Sequence, residues 1–186
     1  IGITLGVQNY QRPEELLRDS DVAMYCAKAQ GKGGYEIFDP VMQIKVRECL
    51  QLENDLRLAI ERQELSIYYQ PIIESGTGQI VSFEALARWQ HPEAGFVSPV
   101  KFIPLAEELG LIEQIGDWVL VQACRQVKAW LAEGLPPIQV AVNLSVHQFN
   151  QPDLNLRLGS LLEEFQLEPQ YLGLELTETI LVTDIG

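Results

Sequence analysis

Glu84, Asn143 and Glu175 are oxygen-donor side chains, and each stands in a short apolar segment. In "VSFEALARWQ", Val81, Phe83, Ala85, Ala87 and Trp89 alternate with Ser82, Glu84, Leu86 and Arg88. In "QVAVNLS", Val140, Val142 and Leu144 alternate with Gln139, Ala141, Asn143 and Ser145. In "LGLELTE", Leu172, Leu174 and Leu176 alternate with Gly173, Glu175 and Thr177. All three segments pair a greasy face with a face of small or polar groups. Two carboxylates and a carboxamide are hard ligands suited to magnesium or manganese. Arg88, on the face of Glu84, has the planar fork that clamps a phosphate. Gln70 of "SIYYQPI", on a face with Ser66 and Tyr68, can read the polar edge of a ligand. The same residues also admit a plain structural reading, an internal Glu84–Arg88 ion pair with Asn143 hydrogen-bonded in the core, since buried charges are normally paired. The residue pattern leaves both readings open.

The elements that must position these groups follow from periodicity and breakers. Residues 1–8 read as a strand. A helix opens at Pro13, with Glu14 and Glu15 in its first turn, and Gly31 ends it. "GGYEIF" reads as a short strand, so this βαβ piece looks like the tail of a domain. Asp39 and Pro40 start another helix, amphipathic through Leu52, Leu56, Ala59 and Ile60. "LSIYYQPII" and "IVSFEALARW" are strands joined by "ESGTGQ", a connection short enough only for a hairpin. Beyond them come helices in "SPVKFIPLAEELG" and "LIEQIGDWVLVQACRQVKAWLAEG", a strand in "QVAVNLSV", a helix in "LNLRLGSLLEEFQL" and a strand in "YLGLELTE". Such alternation predicts a parallel sheet covered by helices. Polar groups turned toward the inside of a sheet are explained if the strands form a barrel with a site at their C-terminal ends.

The net charge of −13 repels nucleic-acid polymers and anionic membranes, yet a small phosphate ligand remains accessible through a bridging cation. Cys26, Cys49 and Cys124 are odd in number and lack CxxC spacing, which predicts neither a zinc site nor a disulfide framework and suits a reducing compartment. No apolar run is long enough to span a bilayer. "GKGG" at 31–34 follows a helix and lacks the spacing of a phosphate loop. His91 and His147 lack partners at metal-ligand spacing and read as ordinary polar residues; Trp118 and Trp130 read as packing residues of the long helix.

The motifs "YYQPI", "EALARW", "HPEAGFVSP", "FIPLAEELGLI", "VNLS" and "LELTET", in this order, resemble the first half of an EAL domain, the family that hydrolyses the bacterial second messenger cyclic di-GMP. "ITLGV" followed by "LLRDSDVAMYCAKAQGKGGYEIF" resembles the C-terminal end of a GGDEF (diguanylate cyclase) domain. The resemblance implies an α/β chain. It consists of a TIM-like (βα)8 barrel with an antiparallel first strand, truncated after about four strands, preceded by a βαβ remnant of an α/β GGDEF domain. The implied boundaries are a GGDEF remnant over 1–38, a connector helix over 39–63 and the N-terminal half of an EAL domain over 64–186. It further implies that Glu84, Asn143 and Glu175 are metal ligands, with Glu84 and Glu175 catalytic. Gln70, Leu86 and Arg88 contact the dinucleotide and its phosphate, and Glu178 orders a loop. The cofactor is Mg2+ or Mn2+, and the product is linear pGpG. The implied partners are cyclic di-GMP and a second copy, a homodimer formed through the EAL domain of a cytoplasmic signalling protein. Because four strands do not close such a barrel, the 186-residue chain itself is expected to be inactive and to expose a sheet edge. A degenerate, non-catalytic cyclic di-GMP receptor and a dimerisation or scaffold module are the competing functions.

Overall fold

Asp39 accepts a hydrogen bond from the Val41 amide at 2.9 Å, and Pro40, which has no N–H to lose, opens the helix behind it. The computed structural model describes residues 1–6, 10–29 and 34–176. The chain divides into two compact units, residues 1–55 and 56–186.

In the first unit, β1 (Gly2–Ile3) and β2 (Glu36–Ile37) pair in parallel, joined through α1 (Pro13–Ala29). A Cβ on Gly2 would fall 1.9 Å from the Ser20 carbonyl oxygen, so glycine is what lets α1 lie against β1. The expected strand over 1–8 is therefore a two-residue pair, with residues 7–9 outside the described set. "GKGG" lies outside it as well, save Gly34. Helix α2 (Pro40–Ala59) crosses from the first unit into the second and ends four residues short of the expected connector, before Gln63 takes a left-handed φ of 57°.

The second unit is built on β3 (Leu65–Ile73) and β4 (Ile80–His91), an antiparallel hairpin as the short connection requires. Next come β5 (Gly95–Val97), α3 (Pro99–Glu108), α4 (Ile112–Ala132), β6 (Gln139–Leu144), α5 (Val146–Phe149), α6 (Leu154–Phe165) and β7 (Leu172–Leu176). The sheet runs β3-β4-β6-β7, with β4, β6 and β7 parallel, and β5 pairs antiparallel with the last residues of β4. Among the described residues the sheet is mixed and open. The core lies between β4–β6 and the inner stripe of α4, where Val119, Leu120, Ala123 and Val127 meet Val140, Val142 and Leu144, all buried. Gly134, at φ 80°, reverses the chain after α4.

Strand β5 and helix α5 were not anticipated. β5 follows a turn held by His91, buried at 5% exposure, whose Nδ1 accepts from the amides of Glu93 and Ala94. This histidine organises a turn and is more than an ordinary surface polar residue.

Candidate functional site

The two faces of β4 separate as its alternation requires. Ala85 and Trp89 are buried, and the Phe83 ring lies 5.0 Å from Trp130 of α4, which also meets Tyr69 of β3 at 5.1 Å. Burial on this side pushes the Tyr69 hydroxyl up to about 12 and the Cys124 thiol up to about 11, so both stay protonated. On the opposite face, register places Gln70 beside Glu84, Tyr68 beside Leu86 and Ser66 beside Arg88. Across the other edge of β4, Glu84 pairs with Ala141, Ala141 with Gly173, and Asn143 with Glu175. One polar surface therefore runs over four neighbouring strands and carries Gln70, Glu84, Leu86, Arg88, Asn143 and Glu175.

Asn143 and Glu175 are penultimate in β6 and β7, at the C-terminal ends of those strands. Glu84 is in the middle of β4, because that strand continues to His91 in order to pair with β5. It stands level with Ala141, two residues before Asn143, near the end of the stretch that β4 shares with β6, Ser82–Ala85, and the Asn143 side chain reaches back across that step to meet it. Asn143 Nδ2 donates to Glu84 Oε1 at 2.7 Å. Among the described residues, the amide oxygen of Asn143 and the second oxygen of Glu84 take no other partner. Glu175 is exposed beside them, one strand spacing of about 4.8 Å from Asn143. Below them the Gln139 side chain fills the space over Gly173, where an added Cβ would stand 3.2 Å from it.

The Glu84–Arg88 ion pair does not form. Four residues along a strand separate their Cα atoms by about 13 Å. Arg88 instead lies over the Tyr68 ring, 5.5 Å from its centroid, and donates from Nη1 to its own neighbour's carbonyl, Ala87, at 2.9 Å. The two charges thus face the same open surface without neutralising each other. Gln70 is exposed, and Leu86 and Arg88 are half-buried. Glu178 lies outside the described residues.

Among the described residues, no cluster of three or more histidine, cysteine, aspartate or glutamate side chains gathers to hold a metal. The triad here has two acids and one amide. Its donors are hard oxygens, and the amide spends its N–H on Glu84 while keeping its oxygen for a cation, so the set fits a magnesium- or manganese-like ion.

Three features escaped the sequence pattern: Tyr68 as the support of Arg88, and Ser145 and Gln148 as the cap of α5. The signal for the cap was present, since "SVHQ" has the Ser-x-x-Gln spacing of a capping box, and both of its hydrogen bonds form.

The described residues thus combine an antiparallel first hairpin, parallel strands beyond it, and acidic and amide donors on one face. The EAL domain family matches residues 53–185, and the chain belongs to that family. It is 45% identical over 184 residues to the bifunctional diguanylate cyclase/cyclic di-GMP phosphodiesterase MucR of Pseudomonas aeruginosa, covering 99% of this chain and 27% of that protein. It is 40% identical over 182 residues to the cyclic di-GMP phosphodiesterase PdeR of Escherichia coli, covering 98% and 27%. The solved structure of the phosphodiesterase PaMucR in complex with c-di-GMP superposes with a TM-score of 0.68 at 46% identity, over 72% of this chain and 54% of that one. The α/β fold is thus of the TIM-barrel type. The chain spans about a quarter of the length of these curated relatives.

Proposed function

We propose that the protein carrying this chain is a cyclic di-GMP phosphodiesterase, which opens the cyclic dinucleotide to linear pGpG. One observation carries the reading: Glu84, Asn143 and Glu175 stand on three adjacent parallel strands, on the polar face of the sheet, with Asn143 hydrogen-bonded to Glu84. Similarity to MucR and PdeR supports it. EAL phosphodiesterases depend on metal as a class, and Glu84, Asn143 and Glu175 would hold Mg2+ or Mn2+. When bound, the ion would supply an activated water and neutralise phosphate charge. The chain's own residues do the positioning. From its place over Tyr68, Arg88 would meet a phosphate, Gln70 would bond a polar edge of the ligand and Leu86 would give it an apolar contact. Glu178 is assigned the ordering of a neighbouring loop.

Residues 1–38 are read as the tail of a GGDEF domain, 39–63 as a connector and 64–186 as the first half of the EAL barrel. Similarity to the bifunctional MucR over 99% of the chain, including the residues ahead of the family match, supports this division. Coverage of 54% of the PaMucR chain supports a barrel truncated after about four strands and an inactive isolated fragment. A cytoplasmic homodimer follows from the same resemblance, and sedimentation of the full-length protein tests the dimer. Among the described residues, no helix is long and apolar enough to cross a membrane.

Titration of the full-length protein with cyclic di-GMP, in calcium for binding and in magnesium for turnover, tests the function. The proposal expects binding and conversion to pGpG. Binding without turnover would establish a receptor instead, and absence of binding a scaffold.

A further inference from the structure

We infer that Gln148 is a positioning residue for Asn143. The inference rests on the reading of Glu84, Asn143 and Glu175 as a metal site.

Asn143 is one residue from the end of β6, and the next residues, Leu144 and Ser145, lead directly into α5. That helix has only four residues, too few to hold its own shape, so contacts from elsewhere must fix the turn. Gln148 supplies them. It is 2% exposed, and its Oε1 accepts from the Ser145 hydroxyl at 3.2 Å and from the Ser145 amide at 3.4 Å. The Gln148 backbone N–H donates back to the Ser145 Oγ at 3.2 Å. The side-chain amide can make these bonds only in one orientation, because the Ser145 N–H requires an oxygen.

The other side of Gln148 abuts α4. A Cβ on Gly116 would stand 2.2 Å from Gln148 Nε2, so the amide lies directly against the helix backbone, and glycine is what admits it. Helix α4 runs for 21 residues and forms the main wall of the core, which makes it a rigid reference. A path therefore runs from Gly116 through Gln148 to Ser145, back along the chain through Leu144 to Asn143, and on to Glu84 through the 2.7 Å bond.

Gln148 Nε2 is buried and, among the described residues, has no acceptor. An unpaired buried donor destabilises a fold, and methionine would fill the same volume without one. The amide at 148 is thus poorly suited to stability and well suited to holding Ser145. Groups that orient metal ligands without touching the ion typically change metal affinity by about 10- to 100-fold.

The test is Mn2+ binding to the full-length protein, followed by the loss of the free-ion paramagnetic resonance signal. The relevant component is the one that disappears in Glu84→Ala, and thermal unfolding is recorded in parallel. Gln148→Met should weaken that component about tenfold or more. Ser145→Ala should weaken it in the same direction, and Ser145→Thr, which keeps the hydroxyl, should restore it. If Gln148→Met does not fold, the serine pair carries the test alone. Wild-type affinity in folded Gln148→Met or in Ser145→Ala, with binding still lost in Glu84→Ala, would overturn the positioning role and leave the metal reading standing. That holds even if the melting temperature falls. Wild-type affinity in Glu84→Ala would overturn the metal reading and this inference with it.

Discussion

Trp89→Phe should remove about 3 kcal/mol of stability from the second unit. The indole is fully buried where three strands meet, with Leu65 of β3 and Val97 of β5 as its register partners. Its Nε1 donates to Glu64 Oε2 at 3.0 Å, and Glu64 is only 8% exposed. Its ring packs edge-on against His91 at 5.4 Å and Phe102 at 6.0 Å. Phenylalanine has no donor. A lost hydrogen bond to a charged, buried acceptor costs about 1.5–3 kcal/mol, and the smaller ring leaves a void that costs about 1 kcal/mol more. The Arg62 guanidinium, at 3.9 Å and about half exposed, offsets little of this. For a unit of this size the loss corresponds to a fall in Tm of roughly 10 °C. Urea and thermal unfolding measure it. In a Glu64→Leu background, where no acceptor remains, the same change should cost about 1–2 kcal/mol less. A loss below about 1 kcal/mol with an unchanged m-value would refute the argument that this buried bond anchors the strand bearing Glu84 and Arg88.

Stability should fall on the alkaline side. Burial raises Cys124 from its ordinary 9.0 to about 11, and burial first, then the Cys124 charge, raises Tyr69 from 10.0 to about 12. The stabilisation from a raised pKa is complete below the unfolded value and is lost as pH climbs to the folded one. Unfolding free energy should therefore decline from about pH 9 to about pH 12, and Cys124→Ala should remove the lower part of that decline in a pH series of urea titrations. Tyr68→Ala should release Arg88 from the ring it stands over, an attraction of about 0.5–1 kcal/mol at exposed sites. It should raise the Kd of the full-length protein for cyclic di-GMP about two- to fivefold, while Tyr68→Phe leaves the Kd unchanged, as calorimetry would read it. Gly134→Ala forces a Cβ into a φ of 80° and should cost about 1–2 kcal/mol in the same unfolding assay.

Much of the second unit was legible because its strands alternate strictly. Val140, Val142 and Leu144 had to share a buried face, which placed Asn143 opposite them. The hairpin was legible from the length of its connection. What alternation did not reveal was level. Glu84 falls mid-strand because β4 runs on to pair with β5, and β5 depends on a turn whose organiser, His91, looks like any polar residue in the sequence. The distance between Glu84 and Arg88 follows from strand rise alone, yet where Arg88 rests depends on Tyr68, a neighbour across the hairpin. Gln148 was illegible as a core residue because its burial comes from a glycine 32 positions earlier, on another element.

The central claim is that Glu84 belongs to a phosphodiesterase site, and the most direct measurement is the initial rate of cyclic di-GMP hydrolysis by the full-length protein in magnesium, set against Glu84→Ala. If Glu84 holds the metal as proposed, its removal should lower that rate by at least about a hundredfold with the fold intact. Equal rates in the two proteins would contradict the account.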